Sequence, residues 1–136
     1  MKIVSRLLVA CLCTAMLVPV IRAQDSTAQP FSKEELQQLV APIALYPDSL
    51  VAQILMASTY PLEVVSAARW SKANPKVTGK ALEDAMQSQT WDASVKSLTA
   101  FPQVLEAMNA KLEVTQKLGD AFLAQQKDVM AAIQSL

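Results

Sequence analysis

The chain has 136 residues, with 12 basic and 12 acidic side chains, no histidine, and two cysteines at positions 11 and 13. Without histidine, nucleophilic catalysis of the Ser-His-Asp or Cys-His type is excluded, and so are metal sites built on imidazole. Nucleic acid is not expected as a partner, because duplex binding draws on clusters of Lys and Arg, whereas loss of an N-terminal signal would leave this chain mildly acidic.

Residues 1–23 have the pattern of an export signal that a protease removes. Lys2 and Arg6 form a basic start, residues 7–21 are almost entirely apolar, and Ala23 offers a small residue for cleavage. This apolar stretch is shorter than the ~20 residues of a transmembrane helix, so it is not expected to be a permanent membrane anchor. No stable membrane span is expected after cleavage. Lipidation at Cys11 is an alternative, but few apolar residues precede it. The sequence therefore predicts export to the periplasm or cell envelope.

The mature chain that cleavage would leave is mildly acidic and has no cysteine. Nine basic residues remain against twelve acidic ones, a net charge of about −3. No internal disulfide can form, so packing alone has to stabilise the fold. Residues 24–30 are polar and are predicted to be a flexible leader, and residues 31–136 suffice for a single helical domain.

Helix starts are the clearest local signals after residue 30. Ser32 and Glu35 have the spacing of a capping box, and Asp92 is a good N-cap. Aromatic-proline pairs at residues 46–47, 60–61 and 101–102 place proline near a first helical turn, where its missing N–H costs nothing. Helices are predicted to begin near residues 32, 47, 61, 78, 92, 102 and 112.

The pattern as a whole predicts an all-α fold: a compact bundle of about six or seven short helices with proline-initiated turns, preceded by a cleavable signal peptide. Alternating strand patterns are missing, and the chain has only two glycines. The last helix is predicted to be the longest, running from residue 112 to the end with an apolar stripe at Leu118, Phe122, Val129 and Leu136. This stripe is either core or a seam for a partner, so the oligomeric state is left open. Gly119 indicates close approach of another helix.

Four segments carry a family resemblance: residues 39–55 (LVAPIALYPDSLVAQIL), 57–64 (ASTYPLEV), 68–70 (ARW) and 118–126 (LGDAFLAQQ). Together they resemble the bacterial domain of unknown function 3300. The resemblance covers essentially all of residues 31–136. It implies an all-helical domain of Gram-negative envelopes with no assigned activity and no catalytic residue to carry over. Members often continue into a low-complexity tail, so this chain resembles either a short or a truncated member.

A candidate groove for a ligand or partner is formed by Tyr46, Asp48, Tyr60, Arg69 and Trp70. Arg69 shares a predicted helical face with Leu62 and Val65, which would lay its guanidinium against the core. The favoured interpretation is structural, with its stem on apolar surface and its head paired with Asp48 or Asp92. The functional interpretation is that Arg69 anchors an anionic ligand among the aromatic rings.

No catalytic, cofactor-binding or metal-binding residue is predicted. The close acidic pairs Glu34-Glu35 and Glu83-Asp84 are sequence neighbours that diverge by about 100° on a helix, so they would not converge on one metal ion. The sequence favours a non-enzymatic periplasmic or cell-envelope interaction or structural module, whose partner is a protein or a glycan. One alternative is a carboxylate-dependent hydrolase of cell-wall glycan that uses Asp48, Glu63 or Asp92. The other is a tethering domain that presents a longer C-terminal tail.

Overall fold

Eight α-helices and no strand make up residues 31–136, the part of the chain that the computed structural model describes. The predicted signal peptide, the Cys11 alternative and the predicted leader lie outside the described residues. The helices are α1 (Lys33–Val40), α2 (Asp48–Ser58), α3 (Pro61–Ala73), α4 (Gly79–Gln87), α5 (Ala93–Leu98), α6 (Pro102–Ala110), α7 (Leu112–Ala124) and α8 (Gln126–Gln134). The prediction of an all-helical bundle is confirmed.

Local chemistry sets the starts of α1, α3, α5 and α6 as the sequence predicts. Ser32 and Glu35 form the capping box: the Glu35 N–H donates to Ser32 Oγ at 3.3 Å, and the Ser32 N–H donates to Glu35 Oε2 at 2.7 Å. The hydrogen bond that the Ser32 N–H donates to the Glu35 carboxylate lowers the pKa of Glu35, with a further contribution from the Ser32 side chain. Pro61 and Pro102 occupy the first positions of α3 and α6, and the Asp92 side chain caps α5.

The core is a single cluster built around α2. This helix packs against α3, α5 and α7, while α3 also packs against α6, and α1 packs against α7 and α8. Aliphatic side chains fill the interior, because each short helix buries one apolar stripe against its neighbours. The fully buried large side chains are Leu36, Val40, Ile54, Leu55, Val64, Val95, Leu98, Leu105 and Val129.

The prediction of one long terminal helix is wrong, because the helix breaks at Gln125. This residue has φ −137° and ψ 45°, and it separates α7 from α8. Its side chain is buried and pairs with the backbone of Phe31: Oε1 accepts from the N–H at 3.0 Å, and Nε2 donates to the C=O at 3.1 Å. Nε2 also donates to Asp128 Oδ2 at 3.2 Å. The break turns α8 onto α1, so residues 31–136 contain eight helices where about six or seven were predicted.

The predicted apolar stripe accordingly belongs to two helices rather than one. Leu118 and Val129 are buried in the core, Phe122 packs partly against it, and Leu136 is exposed. A continuous seam along one helix is therefore absent from residues 31–136.

Gly119 lies in α7 where that helix crosses the end of α2. The prediction that another helix approaches closely at Gly119 is confirmed. A Cβ built on Gly119 would lie 2.7 Å from the Ser58 carbonyl carbon, and closer still to the Ser58 oxygen. The two backbones therefore touch, and only glycine permits this approach.

A helix that crosses a membrane has to be both long enough and apolar enough. None of the eight helices between residues 31 and 136 meets both requirements by itself. The pair α2 and α3 meets them when counted together, although the two helices meet at an angle of 115°.

Candidate functional site

A surface groove of about 600 Å³ lies between α3, the start of α4, and α6. This volume is within the range of small-ligand pockets. We call it the α3/α4/α6 groove. It is lined by residues 68–72 on the first wall, by residues 74, 75, 77–79 and 82 on the second, and by residues 99, 100, 102, 106 and 109 on the third.

Two cations, Arg69 and Lys72, line the groove from α3. Both side chains are exposed. The ion pairs found within residues 31–136 are Lys80–Asp84 and Lys117–Glu113, so neither groove cation is paired with a described carboxylate. Lys72 in addition lies in the last turn of α3, where a positive charge suits the helix dipole.

The prediction that Arg69 packs on the core beside a carboxylate is wrong. The face of α3 that meets the core carries Val64, Ala67, Ala68 and Ser71. Arg69 follows Ala68 by one residue, and this step of about 100° turns its side chain toward solvent. Leu62, which was expected on the same buried face, is 77 % exposed.

The first turn of α4 opens on the groove without a side-chain cap. Thr78 is the N-cap residue, its side chain makes no capping hydrogen bond, and the first turn contains no acidic residue. Gly79 follows with φ +58°, and nothing lies within 4 Å of the position that a Cβ would take. The first N–H groups of a helix have no partner within the helix, so those of α4 remain available to a ligand.

Ser71 has the one buried side-chain N or O atom within residues 31–136 that lacks a hydrogen-bond partner. The residue is 9 % exposed and lines the groove. A buried hydroxyl without a partner costs about 1–3 kcal/mol, so a native protein rarely keeps one without a reason.

The remaining lining combines apolar surface with amide and carboxylate groups. Trp70 and Leu82 provide apolar walls, and Glu106 and Asn109 contribute polar groups from α6. The Asn74 side chain donates to the Trp70 C=O at 2.8 Å and so fixes the end of α3 beside the groove.

The five residues predicted to form one groove are divided by the fold. Arg69 and Trp70 line the α3/α4/α6 groove, whereas Tyr46, Asp48 and Tyr60 do not. Asp48 is exposed in the first turn of α2, with Tyr46 just before it.

Tyr60 lies instead beside two carboxylates at the starts of α3 and α5. The Asp92 Oδ1 atom accepts from the Ser94 N–H at 2.9 Å and from the Ser94 hydroxyl at 2.5 Å. The Ser94 hydroxyl and N–H lower the pKa of Asp92, with a smaller contribution from the Tyr60 hydroxyl. Glu63 Oε2 accepts from the Asp92 N–H at 2.7 Å. Both carboxylates therefore stabilise the start of α5.

Sequence reasoning missed Ser71, Lys72, Gly79, Glu106 and Asn109 as groove residues. The available signals were weak: Gly79 is one of two glycines, and Lys72 lies three residues after Arg69. No group of three or more Asp or Glu side chains among the described residues is arranged to hold a metal ion.

Comparison with known proteins gives a family and a relative. The family described as "Protein of unknown function (DUF3300)" matches residues 32–136. The chain is 54 % identical over 106 residues to the uncharacterized protein YacH of Escherichia coli (strain K12); the match covers 78 % of this chain and 17 % of that protein. The chain thus spans about a sixth of the length of this relative. No solved structure matches.

Proposed function

The chain belongs to the DUF3300 family, and from the geometry of its groove we propose that residues 31–136 form a non-enzymatic binding module of the cell envelope. The observation that carries the proposal is the α3/α4/α6 groove with its unpaired Ser71 hydroxyl. The two exposed cations and the uncapped start of α4 add polar groups that can fix the orientation of a partner.

The envelope location in this proposal rests on the export signal expected in residues 1–23. A module in that compartment meets proteins and glycans. Either partner can use a groove that combines an indole ring, amides and charges.

The hydrolase alternative is weakened by the roles of Glu63 and Asp92. A general acid in glycoside hydrolysis needs a raised pKa, whereas hydrogen bonds lower the pKa of Asp92. Glu63 is engaged by the Asp92 N–H. Turnover of peptidoglycan by the purified domain that Glu63→Gln abolishes would restore this alternative.

A tethering role is a second candidate, which the length of the relative favours. YacH is about six times as long as the matched segment, so a domain of this kind is joined to much additional chain there. In that role the groove would hold the envelope partner while the rest of a longer protein acts elsewhere.

Photocrosslinking in living cells tests the proposal. A photoreactive residue is placed at Asn109, which is exposed on the groove wall, or at the matched control Gln126, which is exposed on α8. We expect crosslinked products from position 109 that are lost when Arg69→Gln and Lys72→Gln are combined, and none from position 126. Digestion by protease or by glycan hydrolase then identifies the partner class. Equal crosslinking from both positions, or none from position 109, would contradict the proposal.

A further inference from the structure

The start of α4 has the features of an anion site. The helix has nine residues, and its first turn lies on the groove with no side-chain cap and no acidic residue. Helix N-termini carry about half a unit of positive charge and aim N–H groups at a bound anion. Gly79 keeps this end of the helix open, since no protein atom occupies the space beside its Cα.

Ser71 is a second, independent observation that indicates a ligand. Other serines in or just after these helices donate to a carbonyl of the preceding turn: Ser58 to Leu55 at 2.6 Å, Ser66 to Leu62 at 3.0 Å, and Ser97 to Ala93 at 2.8 Å. The Ser71 hydroxyl does not, and it has no other described partner. It is more than nine-tenths buried in the wall of the groove and its Oγ atom has almost no exposed surface, so a bound group supplies the missing hydrogen bond only after the Ser71 side chain rotates toward the groove.

The charges of the groove complete the case for an anion. Arg69 and Lys72 provide two positive side chains without carboxylate partners among residues 31–136. Glu106 provides one negative side chain on α6. A singly charged group is therefore a better match than a doubly charged phosphate, which Glu106 would repel more strongly.

The polar and apolar walls favour a peptide as the carrier of that charge. Glu106 and the Asn109 amide offer an acceptor and a mixed donor–acceptor for backbone groups. Trp70 and Leu82 offer apolar surface for side chains. We propose that the α3/α4/α6 groove binds the carboxylate of an extended peptide segment of an envelope protein, an inference that rests on the proposed binding function.

A titration followed by NMR tests this inference on the ¹⁵N-labelled mature domain. The probes are an N-acetylated Ala-Ala-Leu-Ala-Ala peptide with a free carboxyl terminus, its C-terminal amide, the amide with Asp in place of Leu, and inorganic phosphate. We expect the free acid to shift the amide resonances of Gly79, Lys80 and Ala81 and the indole resonance of Trp70. The plain amide should bind about tenfold more weakly, as the loss of a charge-assisted hydrogen bond implies.

The third probe separates the two sources of a peptide carboxylate. Recovery of binding by the Asp-containing amide would assign the site to acidic side chains as well as chain ends. Ser71→Ala and Lys72→Gln should each weaken binding of the free acid by about tenfold. The matched controls Ser66→Ala and Lys127→Gln, which alter exposed residues away from the groove lining, should leave binding unchanged.

Three results would overturn the inference: equal binding of acid and amide, tighter binding of phosphate, or shifts confined to other surfaces. The outcome also separates this inference from the proposed function. If the position 109 crosslink forms but no peptide carboxylate binds, the choice of ligand fails while the binding module stands. If both fail, the groove is not a binding site.

Discussion

Gly119 gives the sharpest prediction about the fold, because its environment reverses the sign of the stability change that helix propensity predicts for Gly119→Ala. Alanine in place of glycine inside a helix normally stabilises by about 1 kcal/mol. In this fold the added methyl carbon would lie 2.7 Å from the Ser58 carbonyl carbon and closer still to its oxygen. Gly119→Ala therefore has to push α7 away from α2.

The magnitude follows from what has to move. The Ser58 carbonyl is backbone and cannot rotate aside as a side chain would, and α2 is held by α3 and α5 as well as α7. Overpacking of this kind costs about 1–3 kcal/mol, and the rigid contact puts Gly119→Ala near the upper end. After the propensity gain we expect a net loss of about 2 kcal/mol in the free energy of unfolding. This corresponds to roughly 8 °C in Tm for a domain of this size.

Urea unfolding followed by circular dichroism measures this loss. The matched control is Ala52→Gly, at an exposed position of α2, which removes a methyl group from a helix without a clash. It should cost about 1 kcal/mol through propensity alone. If Gly119→Ala were instead more stable than the wild type by about 1 kcal/mol, the close approach of α7 and α2 would be wrong.

Three further predictions concern single side chains. Gln125→Leu leaves the Phe31 backbone unpaired and should lower the free energy of unfolding by about 2 kcal/mol. Gln126→Leu, at the exposed neighbouring position, should change it by less than about 0.5 kcal/mol. Similar losses for the two variants in urea unfolding would contradict this prediction. Asp92→Ala should cost about 1 kcal/mol at pH 7. The pKa of Asp92 is lowered in the fold, so its negative charge stabilises the fold fully at pH values above the unfolded pKa of about 3.9. This contribution disappears as the pH falls through the lower pKa of the folded state. A loss of unfolding free energy in Asp92→Ala that stays constant down to about pH 2 would refute the capping role. Arg69→Met should change the free energy of unfolding by less than about 0.5 kcal/mol, since Arg69 is exposed, and a loss above about 1 kcal/mol would restore its packing against the core.

The sequence predicts helix starts well because capping is local chemistry. Ser32 and Glu35 satisfy each other within one turn, Asp92 satisfies the Ser94 N–H, and proline fixes the backbone at the first turns of α3 and α6. None of these interactions depends on which helices become neighbours. Gly119 could also be identified as a contact point from its residue type alone, because a glycine inside a helix permits close approach of another backbone. Its partner Ser58 could not be identified in this way.

The break at Gln125 escaped prediction because its cause lies 94 residues away in the sequence. The side chain of Gln125 pairs with the backbone of Phe31, and this pairing exists only after α8 has packed on α1. Read locally, residues 112–136 are a continuous amphipathic pattern. Tertiary pairing therefore overrides helix propensity at this position.

The candidate site was predictable only in part. Arg69 and Trp70 could be singled out by type, but the face of α3 that meets the core was misjudged by one residue. Tyr60 and Asp92 do lie together, yet at the start of α5 rather than in the groove. Ser71 could not be found at all, because the absence of a hydrogen-bond partner is a property of the folded chain.

Ser71→Ala provides the most direct test of the claim that the groove reserves a hydroxyl for a ligand. Unfolding is measured for the wild type and the variant, without peptide and with saturating free-acid peptide, and Ser58→Ala serves as the control with a paired buried hydroxyl. Without peptide, we expect Ser71→Ala to equal or exceed the wild type by up to about 1 kcal/mol, because it removes an unsatisfied polar group. With peptide, the wild type should become the more stable of the two. Equal stabilisation of both proteins by the peptide, or a loss of stability in the peptide-free variant, would contradict the account.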